Sequence, residues 1–178
     1  MPIEEFVLPT GEVLNVFYVA GKSSPPAQYF NAKRRSLPIE TVERLYRSKK
    51  FLYQAGLVKE IEQSGLNFDT IICPPSSAGD AQPYRDAILD RWPVNELSDT
   101  FTRRGNFKAQ DDETSVEDLV ERELVHSPDG SEPLIKSLLI VDESLARGRT
   151  AAAMIALLRR AGMPDDARIS IAVCAKMT

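Results

Sequence analysis

Apolar residues are grouped into short runs that alternate with amphipathic stretches along most of the chain. Near the N-terminus, apolar stretches at 3–8 and 13–19 flank a Pro-Thr-Gly-Glu turn, which predicts a β-hairpin. Later apolar runs predict buried strands at 68–73, 94–97, 137–141 and 168–175. Strands that alternate with helices are typical of an open parallel α/β sheet. We therefore predict such a sheet, flanked by helices, with the hairpin as a small N-terminal addition.

Helical spacing and capping signals predict the connecting helices. Pro38 suits the first turn of a helix that continues to Ser64, with Gly56 as a point where it could bend or break. Shorter helices are predicted at 80–89, 114–124 and 151–161. Two prolines in the segment 21–31 indicate an irregular loop.

The bulk properties are those of a globular protein. The 178 residues fit one domain, which we divide into an N-terminal hairpin or hood (1–35) and an α/β core (36–178). The net charge of -4 gives no general case for a nucleic-acid partner. No apolar run approaches the ~20 residues of a membrane span, and no signal-peptide pattern opens the chain. We therefore expect a cytoplasmic protein without a membrane partner.

The cysteines and the single histidine suggest no catalytic centre. Cys73 and Cys174 lie in apolar, strand-like runs, so buried free thiols in a reducing cytosol are expected, with a disulfide between them as the alternative. His126 is the only histidine and stands beside a turn, so we expect it at the surface. Histidine-dependent triads and zinc sites are therefore not expected.

The segment from Leu138 to Thr150 carries the most informative chemistry. Four apolar residues precede Asp142 and Glu143, and a Gly-containing loop then leads into a helical run. This order predicts a buried strand whose carboxyl end presents two acids close to a helix N-terminus. Loop amides and the positive end of a helix bind phosphate, while carboxylates bind sugar hydroxyls or a hydrated metal ion. A phosphorylated sugar is thus indicated; an ordinary strand, loop and helix with solvated acids is the alternative.

This segment resembles the thirteen-residue signature of type I phosphoribosyltransferases, which use 5-phosphoribosyl-1-pyrophosphate (PRPP) with Mg²⁺. The resemblance implies a phosphoribosyltransferase-like fold. It also implies that Asp142 and Glu143 form the catalytic acid pair, which contacts the ribose hydroxyls and, through ribose or water, Mg²⁺. The residues implied to wrap the 5′-phosphate are Ala146, Arg147, Gly148, Arg149 and Thr150.

Two departures from the family pattern are visible. Glu143 stands where the second acid is usually Asp, which keeps the charge but adds a methylene. Ala146 and Arg147 stand where the family usually has small hydroxyl residues, and some relatives place a catalytic Asp at the position of Ala146. Arg147 could add a cation for the phosphate or crowd the loop.

Two other segments suit the pyrophosphate. The loop after the strand at 68–73 offers hydroxyls and backbone amides from Ser76, Ser77, Ala78 and Gly79. The polar stretch 101–110 suits a flap that closes over the pyrophosphate, and its cations are Arg103, Arg104 and Lys108. A plain turn and a solvated loop are the respective alternatives. The stretch 101–110, the chain end 173–178 and, loosely, 46–51 resemble ComF-like members of the family.

The resemblance implies a glycosyltransferase of nucleotide metabolism that transfers the phosphoribosyl group of PRPP to a nitrogen acceptor, a base or an amine, and releases pyrophosphate. A PRPP- or nucleotide-binding regulator without catalysis is a second hypothesis, which Ala146 and Arg147 favour because binding needs only backbone amides and the acid pair. An interaction protein on the same fold is a third, with the basic segment 33–50 as its partner surface. That segment also fits a solvated face or half of a homodimer contact, and a nucleic-acid contact is less favoured.

Overall fold

The computed structural model describes residues 4–35, 37–75, 79–104 and 114–177. Its strands are β1 (Glu4–Val7), β2 (Val13–Ala20), β3 (Thr70–Ile72), β4 (Asn95–Glu96), β5 (Phe101–Arg103), β6 (Leu124–His126), β7 (Ser137–Leu145) and β8 (Arg168–Lys176). The main sheet has the order β1-β2-β8-β7-β3-β4, and β5 and β6 form a separate antiparallel pair. In the main sheet β1 is antiparallel to β2, and the other pairings are parallel. The predicted α/β class with a mostly parallel sheet is confirmed.

Helices cover both faces of this sheet. They are α1 (Pro25–Arg34), α2 (Glu40–Ser48), α3 (Lys50–Ser64), α4 (Gln82–Arg91), α5 (Val116–Asp118) and α6 (Arg149–Arg160). α5 continues as a π-helical segment, Leu119–Glu123, and short 3₁₀ turns cover Ser98–Thr100 and Glu132–Leu134. The core beneath one face is filled from α1 to α4, and the core beneath the other from α5 and α6. No helix within the described ranges combines the length and the apolar character needed to cross a membrane.

The predicted N-terminal hairpin is present, but it is part of the main sheet. Its second strand, β2, pairs in parallel with β8, with Val16 opposite Ile171. Leu14 and Val16 face one core and Phe17 the other, so β2 buries side chains on both faces as central strands of parallel sheets do. The hairpin therefore extends the sheet rather than standing apart as a small addition.

One loop prediction and one helix prediction were wrong in detail. The segment 21–31 is not an irregular loop, because α1 begins at Pro25 and the Ser24 hydroxyl caps it by accepting the N–H of Ala27 at 3.4 Å. Prolines suit the first turn of a helix, where no N–H is needed. The predicted helix ending at Ser64 breaks at Lys49, whereas Gly56 lies inside α3 and brings that helix close to β2.

Cys73 and Cys174 are buried free thiols, as predicted. Burial raises the pKa of each thiol to about 12. Thiols with so high a pKa carry almost no thiolate at neutral pH and are poor nucleophiles.

Candidate functional site

The acid pair lies where β7 extends beyond its neighbour β3. The last pairing of β3 sets Ile72 opposite Ile140, whereas β7 continues beside β8 until Leu145 stands opposite Lys176. Asp142 and Glu143 thus lie past the end of β3, where no strand among the described residues pairs with β7 on that side. Crevices of this kind, at the carboxyl ends of parallel strands, are the usual ligand sites of open α/β sheets.

Asp142 and Glu143 have different surroundings because successive strand residues point to opposite faces of a sheet. Ile140 packs into the core beneath α6, and Val141 packs into the core beneath α1 to α4. The same alternation directs Asp142 to the α6 side, where the charge of Arg103 favours its ionised form. Glu143 is directed to the α1 side, where its Oε1 lies 3.8 Å from Lys33 Nζ.

The Asp142 carboxyl is poised to accept hydrogen bonds. Its Oδ1 accepts the backbone N–H of Glu143 at 2.7 Å. Removal from water raises the pKa of Asp142 to about 6, although that hydrogen bond and the charge of Arg103 both act in the opposite direction. At neutral pH the group is therefore mostly ionised and can hold a hydroxyl or a cation.

The Glu143 carboxyl has the higher pKa of the two acids. Burial and the negative charges of Asp142 and Asp80 raise the pKa of Glu143 to about 8, and only Lys33 opposes them. Its Oε2 is buried and has no hydrogen-bond partner in the part of the chain that the structure describes. A buried polar atom without a partner is rare in folded proteins. A ligand hydroxyl or a hydrated cation at this position would satisfy it.

Lys33 and Asp80 belong to this site, and the sequence did not single them out. The Lys33 ammonium forms an ion pair with the Asp80 carboxylate, whose side chain is only 6% exposed. Asp80 directly follows Gly79, so its position after the predicted pyrophosphate loop was the available signal. Lys33 is one of several cations in a basic segment, and only the packing of α1 distinguishes it.

The loop between the acid pair and α6 is fixed by packing against the hairpin. Gly148 precedes α6 with a φ of 68°, and a Cβ there would stand 2.7 Å from side-chain atoms of Phe6 and of Leu8. Glycine is therefore required at this position for packing as well as for backbone conformation. The first internal hydrogen bond of α6 joins Ala152 N to the carbonyl of Gly148 at 2.9 Å. The backbone N–H groups that come before Ala152 in the helix point out of its N-terminal end.

The remaining predicted phosphate residues surround this helix start in different ways. Ala146 and Thr150 are half-buried, and the Arg147 side chain is exposed. Arg149 donates from Nη1 to the carbonyl of Thr114 at 3.0 Å, which links α6 to the residues before α5. The structure thus brings the predicted loop to one place, with the Arg149 guanidinium bonded to the residues before α5.

The predicted flap cations have different surroundings. Arg103, at the end of β5, lies close enough to Asp142 to favour its charge. Arg104 instead donates its backbone N–H to the carbonyl of Glu123 at 2.7 Å and its guanidinium to the carbonyl of Glu121 at 3.5 Å. Four other predicted binding residues lie outside the described ranges, namely Ser76, Ser77, Ala78 and Lys108. Gly79, beside three of them, has a φ of 60°.

The prediction of a surface position for His126 was wrong. Its side chain is 3% exposed, its ring stacks on Phe101 at a centroid distance of 4.5 Å, and Nε2 lies 3.1 Å from Glu132 Oε1. The pairing of β6 with β5 sets His126 opposite Phe101, which a turn signal in the sequence cannot show. Burial lowers the pKa of His126, so the ring is neutral at physiological pH.

The acid pair fits a partial magnesium site. Within the described ranges, no group of three or more His, Cys, Asp or Glu side chains is arranged to hold a metal ion. Mg²⁺ is, however, commonly held by one or two carboxylates together with water and the phosphates of a substrate. Asp142 and the unpartnered Oε2 of Glu143 could supply that share of the ligands. They would do so only in the presence of a phosphorylated ligand.

Comparison with known proteins adds no assignment to this geometry, because no protein-family model and no curated protein sequence matches the chain.

Proposed function

We propose that the carboxyl end of β7 binds PRPP with Mg²⁺ and that the protein transfers the phosphoribosyl group to a nitrogen acceptor, with release of pyrophosphate. One observation carries this proposal. Asp142 and Glu143 stand past the end of β3 in a parallel sheet, and α6 begins six residues beyond Glu143, at Arg149. Carboxylates for a sugar and helix amides for a phosphate are therefore adjacent, as a phosphoribosyltransferase-like fold requires.

The loop before α6 is the proposed anchor of the 5′-phosphate. Helix N-termini attract anions because their first amides lack internal partners and the helix dipole is positive there. The exposed Arg147 would add a cation beside these amides, and the half-buried Thr150 would add a hydroxyl. Asp142, mostly ionised at neutral pH, would accept a hydrogen bond from one ribose hydroxyl. The buried Oε2 of Glu143 would accept from another.

The proposed reaction is a substitution at the anomeric carbon of the ribose. The acceptor nitrogen forms a bond to C1′, and the bond from C1′ to the pyrophosphate oxygen breaks, with its electron pair leaving on pyrophosphate. The proton of the acceptor nitrogen is released to solvent. The negative charge of Asp142 would stabilise the positive charge that develops at C1′. Arg103, which lies near Asp142, would approach the departing pyrophosphate from the α6 side. Mg²⁺, when bound, would neutralise charge on the phosphates.

A regulator that binds PRPP or a nucleotide without reaction is the second candidate. Ala146 favours it, because a methyl group in this loop cannot take a proton from the acceptor. The hydrogen bond of the Arg149 guanidinium to the carbonyl of Thr114 also favours it, because this cation is already engaged by the residues before α5. Binding alone needs only the helix amides and the acid pair. The two candidates therefore predict the same affinity for PRPP and differ in pyrophosphate release.

Calorimetric titration of PRPP and Mg²⁺ tests the shared part of both candidates. We expect micromolar binding by the wild type and none by Asp142→Asn/Glu143→Gln. Asp165→Asn/Asp166→Asn is the matched control, because it neutralises an adjacent acid pair that is exposed after α6, and it should bind PRPP as the wild type does. A folded wild type that does not bind PRPP overturns the proposal. Pyrophosphate release measured across bases and amines then separates transferase from regulator.

A further inference from the structure

The Lys33 ammonium lies where three segments of the chain meet. Lys33 is in the last turn of α1, Asp80 stands two residues before α4, and Glu143 is near the end of β7. The Lys33 Nζ forms an ion pair with the Asp80 carboxylate and lies 3.8 Å from Oε1 of Glu143. One cation of the protein therefore lies within ion-pair distance of two acidic side chains at the candidate site.

Packing of α1 holds this cation in place. Tyr29 precedes Lys33 by four residues, so the two share one face of the helix. Tyr29 is 2% exposed and stacks on Tyr46 of α2 at a centroid distance of 4.9 Å, and the Lys33 Nζ lies 5.8 Å from the centre of the Tyr29 ring. Although burial opposes it, the hydrogen bond to Asp80 and the charge of Glu143 raise the pKa of Lys33. The side chain is therefore a fixed positive charge at neutral pH.

Without Lys33, the two acids would form a shielded pair of carboxyl groups. The Asp80 side chain is 6% exposed and that of Glu143 is 22% exposed. Together with burial and the charge of Asp142, the charge of Asp80 raises the pKa of Glu143, so the carboxyl groups of Asp80 and Glu143 lie close together. Buried carboxylates need a compensating cation, and Mg²⁺ is commonly held by one or two carboxylates together with water. An ammonium and a divalent metal ion are thus alternative occupants of this position.

We propose that Lys33 is the resident cation of the candidate site and keeps divalent metal ions away from Asp80 and from Oε1 of Glu143. Two cations at the same pair of carboxylates repel each other strongly where water is largely excluded. A metal ion then enters only with the phosphates of a ligand, which offset this repulsion, and it uses Asp142 and Oε2 of Glu143. This last step rests on the proposed function, whereas exclusion of the metal ion by Lys33 does not involve PRPP.

Mn²⁺ uptake by the protein alone, at pH 8 and without PRPP, tests this exclusion. The electron paramagnetic resonance signal of free Mn²⁺ falls when the ion binds, which gives the bound fraction. We expect Lys33→Met to bind one Mn²⁺ with a dissociation constant on the order of 0.1–1 mM, as weak carboxylate sites do, and the wild type to bind at least about tenfold more weakly. Lys59→Met removes an exposed lysine of α3 and should match the wild type.

Thermal unfolding supplies a second measurement. Ligands that bind only the folded state raise Tm, so Mn²⁺ should raise the Tm of Lys33→Met and leave that of the wild type unchanged. Lys33→Met/Asp80→Asn has lost one of the two carboxylates and should show neither effect. Where Lys33→Met does not fold, Lys33→Gln takes its place, because its amide can still donate to Asp80, and it should gain the same Mn²⁺ site. Circular dichroism establishes that each variant is folded.

Three results would overturn the proposal. The first is a wild type that binds Mn²⁺ as tightly as Lys33→Met. The second is folded Lys33→Met or Lys33→Gln protein that gains no Mn²⁺ site. The third is a Mn²⁺ site that survives in Lys33→Met/Asp80→Asn, because the metal ion would then lie elsewhere. Failure of the proposed function is a separate result: a wild type that does not bind PRPP, in a chain that gains a Mn²⁺ site on loss of Lys33, supports exclusion by Lys33 and removes the transferase.

Discussion

Gly148 lies against Phe6, so closely that a Cβ on Gly148 would stand 2.7 Å from Cε1 of the phenylalanine ring. Leu8 approaches the same point from the turn after β1. The start of α6 is thereby fixed to the N-terminal hairpin, whose inner strand is separated from β7 by β8. This contact fixes the position of the backbone that follows Asp142 and Glu143.

Gly148→Ala should destabilise the protein by about 2–4 kcal/mol, the sum of steric overlap in a packed site and the cost of a positive φ. Gly65→Ala is a matched control, because Gly65 has the same φ of 68° but no atom lies within 4 Å of the point that its Cβ would occupy. It should lose only the conformational part, about 1 kcal/mol. Urea unfolding measures both. Equal losses in the two variants would mean that the contact with Phe6 carries no strain.

Asp142→Asn should stabilise the protein at alkaline pH. Because burial raises the pKa of Asp142 to about 6 from its ordinary value of 3.8, the folded protein binds a proton more tightly than the unfolded chain does. Stability from this group is therefore present at low pH and is lost as pH rises from about 4 to about 6. The asparagine variant avoids that loss, so above pH 7 it should exceed the wild type by at most about 3 kcal/mol.

The stability difference between Asp142→Asn and the wild type should shrink towards pH 4, where the folded protein holds the carboxyl protonated. Unfolding by urea at pH 4 and pH 8 measures this change. Asp90→Asn is the control, because it neutralises an exposed aspartate on α4. A wild type that is more stable than Asp142→Asn at pH 8 would contradict the assignment of a desolvated carboxyl.

Lys33→Met should destabilise the protein by about 1–3 kcal/mol at neutral pH, because it leaves the buried Asp80 carboxylate without its cation. Adding Asp80→Asn should recover part of this loss, since the unpaired charge is removed. Lys59→Met, which removes an exposed lysine of α3, should change stability little. If Lys33→Met and Asp80→Asn are simply additive in a double-mutant cycle, the two groups do not interact.

Most of the fold was predictable from local patterns in the sequence. Runs such as 137–141 and 168–175 are rich in apolar residues on both faces, which identifies buried strands, and β7 and β8 occupy them. The pairing of β2 with β8 was not predictable in this way, because it joins residues more than 150 positions apart. The break at Lys49 was equally hidden, since both flanking stretches have helical spacing and no proline or glycine separates them.

The candidate site was predictable only where it is contiguous in sequence. Asp142, Glu143 and Gly148 lie within seven residues, so their order alone indicated a strand end and a helix start. Lys33 and Asp80 are 47 residues apart and meet only through the tertiary packing of α1. The opposite surroundings of the two acids also depend on what covers each face of the sheet, which periodicity does not specify.

His126→Phe should remove one source of acid instability. Burial lowers the pKa of His126, although Glu132 and Asp129 oppose the effect, so the folded protein holds a neutral ring. The unfolded chain takes up a proton below its ordinary pKa of about 6.5. The stabilising contribution is therefore present above that pH and is lost as pH falls through it.

Phenylalanine keeps the stacking on Phe101 and cannot titrate. Urea unfolding at pH 7.5 and 5.5 should show the wild type losing stability relative to the variant on acidification. Because the chain has no other histidine, a constant difference would mean that the buried ring does not titrate on unfolding.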